Sequence, residues 1–236
     1  MVMRAQNPDL PCGSGAKGTG RRKREREEHI RHILDVAESL FAERGFFRTT
    51  MKEIAREAEF ALGTIYSYFR SKKLLYEQVL VRKVSDLAEH LKGSMRAATS
   101  PQAQVENFIR TKLQFLRNNL AFLRLYLGTI EMPELKGESL LPASVRKAYE
   151  SVLGALTEAI HRGVQDGVFY AEDPKHLAMM LDSLTDALAL SWLKRRQRRP
   201  SLEADARMAI QLVLCGVIAP HKRALLLQGG QQGSQS

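Results

Sequence analysis

The residues of this chain best suited to chemistry are hydroxyl-bearing side chains grouped near position 66. They occupy four of the five positions from 64 to 68: Thr64, Tyr66, Ser67 and Tyr68. Apolar residues recur at positions 62, 65 and 69, which is helical spacing, so a helix here would bury them and turn the hydroxyls outward. A short helix that carries hydroxyls and aromatic edges on its outer face has the chemistry needed to enter a DNA groove.

A second short helix is predicted immediately before this one. Thr50 and Glu53 stand three residues apart, as in a capping box, so the helix is expected to begin at Met51. Ile54, Ala55 and Ala58 then fall on one face, and residues 59–61 interrupt the pattern before the next helix begins. Residues 49–72 therefore predict two short helices joined by a tight turn.

This pair of helices and its flanks resemble the DNA-reading motif of the tetracycline-repressor (TetR) family of one-component bacterial regulators. The resemblance covers residues 30–80. Residues 71–75 are similar to the start of the family's fourth helix, and a series upstream is similar to its first helix and closing turn: Ile30, Ile33, Leu34, Ala37, Leu40, Phe41, Gly45 and Phe46. Two positions depart from the family pattern, with Glu59 in place of a turn glycine and Ala61 in place of a Ser or Thr cap.

The resemblance implies roles for individual residues of the motif. Thr64, Tyr66 and Lys72 correspond to phosphate-contacting positions. The base-facing positions are Leu62, Gly63, Ser67 and Tyr68, and Lys52 lies where a basic residue can reach a guanine edge. Core packing remains the alternative for Tyr66, and a purely solvated side chain remains the alternative for Lys52 and Lys73.

Length and charge fit this interpretation. The chain has 236 residues, enough for one small and one larger domain, and its formal net charge of +10 favours a polyanionic partner, with an anionic membrane surface as the alternative. Cys12 and Cys215 form neither a disulfide framework nor a metal-binding spacing. Without a secretory segment or an apolar run of about 18 residues, the expected location is the bacterial cytoplasm, on the nucleoid when bound to DNA.

The chain is predicted to be all-α, with about nine helices in two domains. Residues 1–20 and 228–236 are expected to be disordered tails. Residues 21–72 form a three-helix DNA-binding domain, in which residues 21–24 are either a DNA-contacting basic arm or a solvated charge run. Residues 73–227 form a second, helical domain. Predicted helices span residues 25–43, 51–58, 62–69, 72–92, 102–118, 120–130, 142–166, 174–196 and 201–218, with a loop at 132–141.

Nothing in the second domain has the spacing of a catalytic, metal-binding or cofactor-binding motif. By resemblance, this domain binds a small hydrophobic effector, and its candidate pocket residues are aromatic or sulfur-containing: Phe108, Phe122, Tyr126, Tyr149 and Met180. The resemblance also implies a homodimer formed by the last two helices. Residues 194–199, between those helices, are a basic run that either binds an anion or is a solvated loop.

The sequence thus predicts a dimeric transcriptional regulator, a repressor that binds a palindromic operator and releases it when a small molecule binds. In one alternative, the DNA-binding motif is retained and the C-terminal bundle is a protein-docking or dimerisation module without a ligand. In a second alternative, the chain is an enzyme acting on a hydrophobic substrate, which would require converging acid, base or nucleophilic groups that no sequence motif supplies.

Overall fold

The computed structural model of the chain describes residues 15–131, 142–194 and 201–217. The regular elements in these ranges are nine helices: α1 (Gly15–Arg44), α2 (Met51–Glu57), α3 (Leu62–Tyr68), α4 (Lys72–Arg96), α5 (Pro101–Asn118), α6 (Leu120–Glu131), α7 (Ala143–Gln165), α8 (Pro174–Lys194) and α9 (Leu202–Val217). The all-α prediction is confirmed. The predicted tails at 1–14 and 228–236, the loop at 132–141 and the basic residues 195–199 lie outside the described residues.

The predicted start of the first helix was wrong. A disordered tail was expected to reach residue 20, but α1 already begins at Gly15. Ion pairs one helical turn apart stabilise this charged extension: Arg21 Nε lies 2.7 Å from Glu25 Oε1, and Lys23 Nζ lies 3.9 Å from Glu27 Oε1. Residues 21–24 are therefore part of a helix that continues outward from the domain.

The first three helices enclose a small apolar core. Ile33, Ala37 and Phe41 of α1 pack with Ile54 of α2 and Ile65 of α3, and all five side chains are buried. Helix α1 ends at Gly45, whose φ of 81° lies in the left-handed region that glycine adopts without steric cost. The turn that follows returns the chain towards α2, as the sequence predicted.

Helix α4 connects this core to the C-terminal bundle. Near its start, Leu75 and Val79 are buried, and near its end Leu91 and Met95 are buried. The hydroxyl of Tyr76 donates to the carbonyl oxygen of Leu125 in α6 at 2.9 Å, so the two parts are joined by a buried hydrogen bond. The core of buried residues runs without interruption through both parts of the molecule.

Four charged residues also join α1 to α4, and we call them the junction cluster: Asp35, Glu38, Arg82 and Lys83. Arg82 Nη2 lies 2.8 Å from Asp35 Oδ1 and 3.1 Å from Glu38 Oε2. Lys83 Nζ lies 3.2 Å from Glu38 Oε1 and 3.1 Å from the side-chain oxygen of Asn119. This cluster ties the first helix to the connecting helix and to the end of α5.

Helices α5 and α7 of the C-terminal bundle begin and end, respectively, at the cap residues predicted from the sequence. Ser100 accepts a hydrogen bond from the backbone N–H of Ala103 at 3.2 Å, with Pro101 at the first helical position of α5. Helix α7 ends before Gly167, which has a φ of 62°. Helices α8 and α9 are joined by the Trp192 indole N–H, which donates to Asp205 Oδ2 at 2.7 Å. No helix within the described ranges has the length and apolar character needed to span a bilayer.

Candidate DNA-binding surface and ligand cavity

The turn between α2 and α3 is built on the predicted capping box. The backbone N–H of Glu53 donates to Thr50 Oγ1 at 3.2 Å, and the backbone N–H of Thr50 donates to Glu53 Oε2 at 2.8 Å. The hydrogen bonds from Thr50 lower the pKa of the Glu53 carboxyl group. The start of α2 is thereby fixed by two reciprocal bonds, as predicted from Thr50 and Glu53 alone.

The two departures from the family pattern both have a structural consequence. Glu59 has a φ of 58°, the left-handed conformation that a glycine would adopt without strain. Ala61 occupies the N-cap of α3 and supplies no side-chain hydrogen bond. The turn keeps its shape because the backbone N–H of Phe60 donates to the carbonyl oxygen of Ala55 at 2.9 Å.

Helix α3 presents most of the predicted contact residues to solvent. Ile65 and Phe69 are buried, which holds the helix against the domain core. Tyr66 is 47% exposed, so it is not a core residue. Leu62, Gly63 and Ser67 are also exposed, whereas Thr64 is half-buried. The outer face of α3 is therefore free to approach a duplex, although which of these side chains touch DNA stays a prediction.

Tyr68 is held against α1, which separates it from the other predicted base-facing residues. Its hydroxyl lies 3.0 Å from His29 Nδ1, and the guanidinium carbon of Arg26 lies 5.3 Å from the centre of its ring. Arg22, Arg26 and His29 line a cleft together with Ser67 and Tyr68. Within the first helix, sequence reasoning assigned possible DNA contact only to residues 21–24, but the structure also brings Arg26 beside Tyr68 of α3.

Lys72, whose predicted phosphate contact stays a prediction, has its ammonium group bonded within the domain in this structure. Its Nζ donates to the carbonyl oxygens of Phe46 at 2.8 Å, Thr49 at 2.8 Å and Phe47 at 3.4 Å, and it lies 4.4 Å from the centre of the Phe46 ring. Partial burial lowers the pKa of this ammonium group. An ammonium group has three N–H donors, and here all three point to backbone carbonyls. Lys72 in this structure fastens the turn after α1 to the start of α4.

Lys52, the predicted basic contact in α2, is exposed to solvent, in contrast to Lys72. Lys52 is exposed on the second position of that helix, and no described partner holds its ammonium group. Such a side chain can reach a phosphate or a base edge, or remain solvated, so both readings of Lys52 stay open.

A cavity of about 280 Å³ lies among the helices of the C-terminal bundle. Its apolar walls include Val84, Leu87, Ala88 and Leu91 from α4, Leu116 from α5, Phe122 from α6, and Val145 and Val152 from α7. Of the predicted pocket residues, Phe122, Tyr126 and Tyr149 line this cavity. The other two do not: Phe108 is fully buried in the core, and Met180 is 56% exposed on the outer face of α8. A largely apolar cleft of this kind suits a small hydrophobic molecule.

One end of the cavity is charged, a feature the sequence analysis missed. Lys112 Nζ lies 2.5 Å from Asp182 Oδ1 and 2.8 Å from Asp186 Oδ1. The Tyr149 hydroxyl donates to Asp182 Oδ2 at 3.0 Å. We call Lys112, Asp182 and Asp186 the pocket cluster. The available signal was a lysine within the apolar stripe of α5 and two aspartates four residues apart in α8, because isolated charges on a core-facing stripe need partners.

Burial sets the protonation behaviour at this end of the cavity. It raises the pKa of the Asp186 carboxyl group, and the neighbouring Asp182 adds to that shift while Lys112 opposes it. Burial and the two aspartates raise the pKa of Tyr126 to about 12, and they raise the pKa of Tyr149 further above its usual range. Both tyrosines therefore keep their hydroxyl protons at neutral pH.

The fold and these two sites define a class of protein: a helix-turn-helix DNA-binding regulator with a ligand cavity in a separate helical bundle. Comparison with known proteins agrees. The family model of bacterial regulatory proteins of the tetR family matches residues 33–79. The HTH-type transcriptional regulator RutR of Escherichia coli O157:H7 is 30% identical over 173 residues, which are 73% of this chain and 79% of RutR. The chain belongs to the TetR family and is a DNA-binding transcriptional regulator.

Two further comparisons extend over most of the chain. The HTH-type transcriptional repressor KstR2 of Rhodococcus jostii strain RHA1 is 24% identical over 189 residues, which are 80% of this chain and 91% of KstR2. The crystal structure of AibR in complex with isovaleryl coenzyme A and operator DNA matches with a TM-score of 0.65 and 20% identity, covering 78% of this chain and 97% of AibR. The likeness to AibR establishes a shared fold.

Proposed function

We propose that this chain is a repressor that binds a palindromic operator as a homodimer and releases it when a small hydrophobic effector occupies the bundle cavity. The observation that carries the proposal is the path of α4. This helix begins at Lys72 beside the DNA-binding motif, and its residues Val84, Leu87, Ala88 and Leu91 form one wall of the cavity. A ligand that displaces this wall changes the position of the motif, so ligand and DNA favour different arrangements of the same helix.

Two relatives support the proposal, one for repression and the other for binding of both a small molecule and operator DNA. KstR2 carries the description of a repressor, and AibR is described as a complex with an acyl coenzyme A and operator DNA. A regulator of this fold thus binds a small molecule and DNA in one chain. By linkage, an effector that lowers the affinity for the operator is itself bound less tightly by the operator complex.

Dimer formation is supported by the outer faces of α8 and α9. Apolar side chains are exposed there in greater number than on the rest of the bundle: Met179, Met180, Met208 and Leu212. Contiguous apolar surface on adjacent helices favours a partner. In a two-fold dimer the paired α3 helices read half-sites about one helical turn, ~34–36 Å, apart. We assign residues 21–72 to the DNA-binding domain and residues 73–227 to effector binding and dimerisation.

The other functions considered from the sequence are less well supported. A cavity of about 280 Å³ with a charged end favours a ligand-binding bundle over a bundle that only docks proteins. We also propose that the chain is not an enzyme. Lys112, the one amine that the described residues place at the cavity, donates to Asp182 and is ion-paired with Asp186, so it does not offer a free nucleophile. Action on an operator places the protein in the bacterial cytoplasm, on the nucleoid when bound.

The test is operator binding by the wild type and by Tyr66→Ala. Duplexes tiled across the DNA flanking the gene are titrated with purified protein over a salt series, with scrambled duplexes as controls. A two-subunit complex on one palindrome that survives near-physiological salt is expected. Tyr66→Ala should weaken that complex by about 1–3 kcal/mol, the scale of one good DNA contact.

The matched control is Tyr170→Ala, because Tyr170 is also an exposed tyrosine but lies between α7 and α8. It should leave operator affinity unchanged. Equal binding of every duplex, lost as salt rises, would mean that net positive charge alone is responsible and would refute specific regulation. Undiminished affinity in Tyr66→Ala would remove Tyr66 from the interface.

A further inference from the structure

The charged end of the cavity has an excess of one negative charge. Lys112 supplies one positive charge, and Asp182 and Asp186 supply two carboxylates. All three lie on the cavity wall, where Lys112 and Asp182 are almost completely buried, with side-chain exposures of 6% and 8%. A buried charge in excess of its partners is costly unless another group compensates for it.

The ammonium group of Lys112 has no donor left for a ligand. The ammonium group donates to Asp182 Oδ1 at 2.5 Å and to the backbone carbonyl of Asp182 at 3.1 Å, and its nitrogen forms an ion pair with Asp186 Oδ1 at 2.8 Å. These three acceptors use its full donor capacity. A carboxylate or phosphate entering the cavity would therefore meet two aspartates and a lysine that is already neutralised.

The two carboxylates differ in what they can offer. Asp182 is fully engaged, because Oδ1 accepts from Lys112 and Oδ2 accepts from the Tyr149 hydroxyl. Asp186 forms an ion pair with Lys112 through Oδ1, and among the residues that the structure describes no donor is directed at its Oδ2. Its side chain is also the most accessible of the three, at 28% exposure. Asp186 thus lines the cavity and has one carboxylate oxygen to which none of the described residues donates.

Three aromatic side chains line the same cavity as this carboxylate. Phe122, Tyr126 and Tyr149 line the same cavity, and the rings of Phe122 and Tyr126 lie with their centres 5.9 Å apart. The faces of such rings attract a cation, most strongly where water is excluded. Aromatic faces next to an incompletely paired carboxylate form a site for a positively charged nitrogen, and the apolar residues of α4 and α7 provide for a hydrocarbon part.

We propose that the effector is a hydrophobic cation, an amine or quaternary ammonium whose nitrogen lies against Asp186 and the rings of Phe122, Tyr126 and Tyr149. This assignment rests on the proposed function, since it identifies the chemical class of the molecule that occupies the effector cavity. Asp186 is the counter-ion, and the Lys112–Asp182 pair is the support that keeps it in place.

The test compares three probes that share an eight-carbon chain and differ only in the head group: octyltrimethylammonium, 1-octanol and octanoate. Each is titrated calorimetrically into the wild-type protein at pH 7.5, below its aggregation concentration. We expect octyltrimethylammonium to bind about tenfold more tightly than 1-octanol, and octanoate to bind most weakly. Octanoate binding as tightly as the cation, or no binding by the cation, would overturn the proposal.

Two variants test whether Asp186 causes the preference for the cation over 1-octanol. Asp186→Asn should reduce the preference for the cation over 1-octanol to less than about threefold, because only the charge at the cavity is removed. Asp86→Asn makes the same chemical change at an exposed position of α4 outside the cavity and should leave the preference intact. A preference for the cation that survives in Asp186→Asn would also overturn the proposal. The ranking of the three probes on the wild type remains decisive if that variant does not fold.

The same probes separate this inference from the function on which it rests. If octanoate or 1-octanol releases the operator duplex while the cation does not, the cavity still binds an effector, but the positive charge assigned to that effector is wrong. If the protein binds no specific duplex, the proposed function fails whatever the probes do. Cation binding at Asp186 together with operator release by octyltrimethylammonium is the outcome expected when both hold.

Discussion

The molecule contains two ion clusters of similar composition in very different surroundings. The junction cluster joins α1 to α4 with two acidic and two basic residues, so its formal charges cancel. The pocket cluster joins α5 to α8 with two acidic residues and one basic residue, so one negative charge remains. In the junction cluster Asp35 is 60% exposed but Glu38 is buried, whereas in the pocket cluster both Lys112 and Asp182 are almost fully buried. One cluster is neutral and reaches water through Asp35, and the other carries an excess charge next to a buried lysine and a buried aspartate.

This difference separates a structural connection from a binding site. A neutral, partly solvated cluster gains little Coulomb energy and loses little if one member is removed, since water and the remaining partners compensate. A buried cluster depends on every member, because each charge left without a partner bears a large desolvation cost. An excess charge in such a place is destabilising in the empty protein, and this cost can be relieved by a ligand of opposite charge.

The largest effect that distinguishes the two clusters is expected from replacing each lysine by methionine. Lys112→Met leaves Asp182 and Asp186 buried together without a cation, and it should lower the free energy of unfolding by about 3–5 kcal/mol at pH 7.5. Lys83→Met leaves Glu38 paired with Arg82, so it should cost less than about 1 kcal/mol. Urea denaturation followed by circular dichroism measures both, with the m-value as a check on two-state unfolding.

Similar losses of unfolding free energy in Lys112→Met and Lys83→Met would show that the two clusters do not differ in the way described. A cost below about 1 kcal/mol for Lys112→Met would mean that the pocket carboxylates are hydrated or protonated in the folded protein. Carrying out the same denaturation at pH 5 distinguishes those cases, since protonation of an unpaired carboxylate should recover part of the loss.

A smaller effect of opposite sign is expected for Asp186→Asn. Burial raises the pKa of Asp186 in the folded state, so the folded chain binds a proton more tightly than the unfolded chain does. The stability associated with this group is present at low pH and declines as pH rises from the unfolded value through the folded pKa. Asp186→Asn removes the titrating group, so it should be more stable than the wild type near pH 7.5 and lose that advantage on acidification.

The groups that face Asp186 come from four helices and set the shape of this dependence. They are Lys112 in α5, Tyr126 in α6, Tyr149 in α7 and Asp182 in α8. The tyrosines do not ionise in the range of interest, because their pKa values are raised to about 12 or above. Urea midpoints measured from pH 4 to pH 8 provide the test, with Asp86→Asn as control. A stability difference that does not change with pH would show that Asp186 does not titrate differently on folding.

Local sequence rules predicted the DNA-binding motif well and the cavity poorly. The capping box of Thr50 and Glu53, the start of α5 at Ser100 and Pro101, and the end of α7 at Gly167 depend on neighbours within a few residues, so the sequence contains what determines them. The role of Lys72 depends instead on carbonyl groups more than twenty residues earlier, which a turn brings to its ammonium group. No local pattern indicates that arrangement.

The pocket cluster illustrates the same limit over a longer distance. Lys112 and Asp182 are separated by 70 positions, and their pairing depends on how α5 packs against α8. Met180 and Phe108 were chosen for the pocket by residue type, yet α8 turns Met180 outward and α5 buries Phe108 behind Lys112. Helical periodicity identifies which residues share a stripe, but it does not determine the rotation of one helix against another. The informative signal was three isolated charges on apolar stripes, Lys112 in α5 and Asp182 and Asp186 in α8.

The smallest effect is expected at the junction cluster itself, from Glu38→Gln. After this change Arg82 keeps Asp35 at 2.8 Å, and Lys83 keeps the side-chain oxygen of Asn119 at 3.1 Å, so neither cation is left without a partner. We expect a loss of about 1 kcal/mol or less in the free energy of unfolding, diminishing further in 0.5 M salt because the cluster reaches solvent. Urea denaturation at low and high salt measures it. A loss comparable to that of Lys112→Met, unchanged by salt, would mean that the buried Glu38 depends on its charge as strongly as the pocket aspartates do, and that the junction and the cavity are held together by the same kind of interaction.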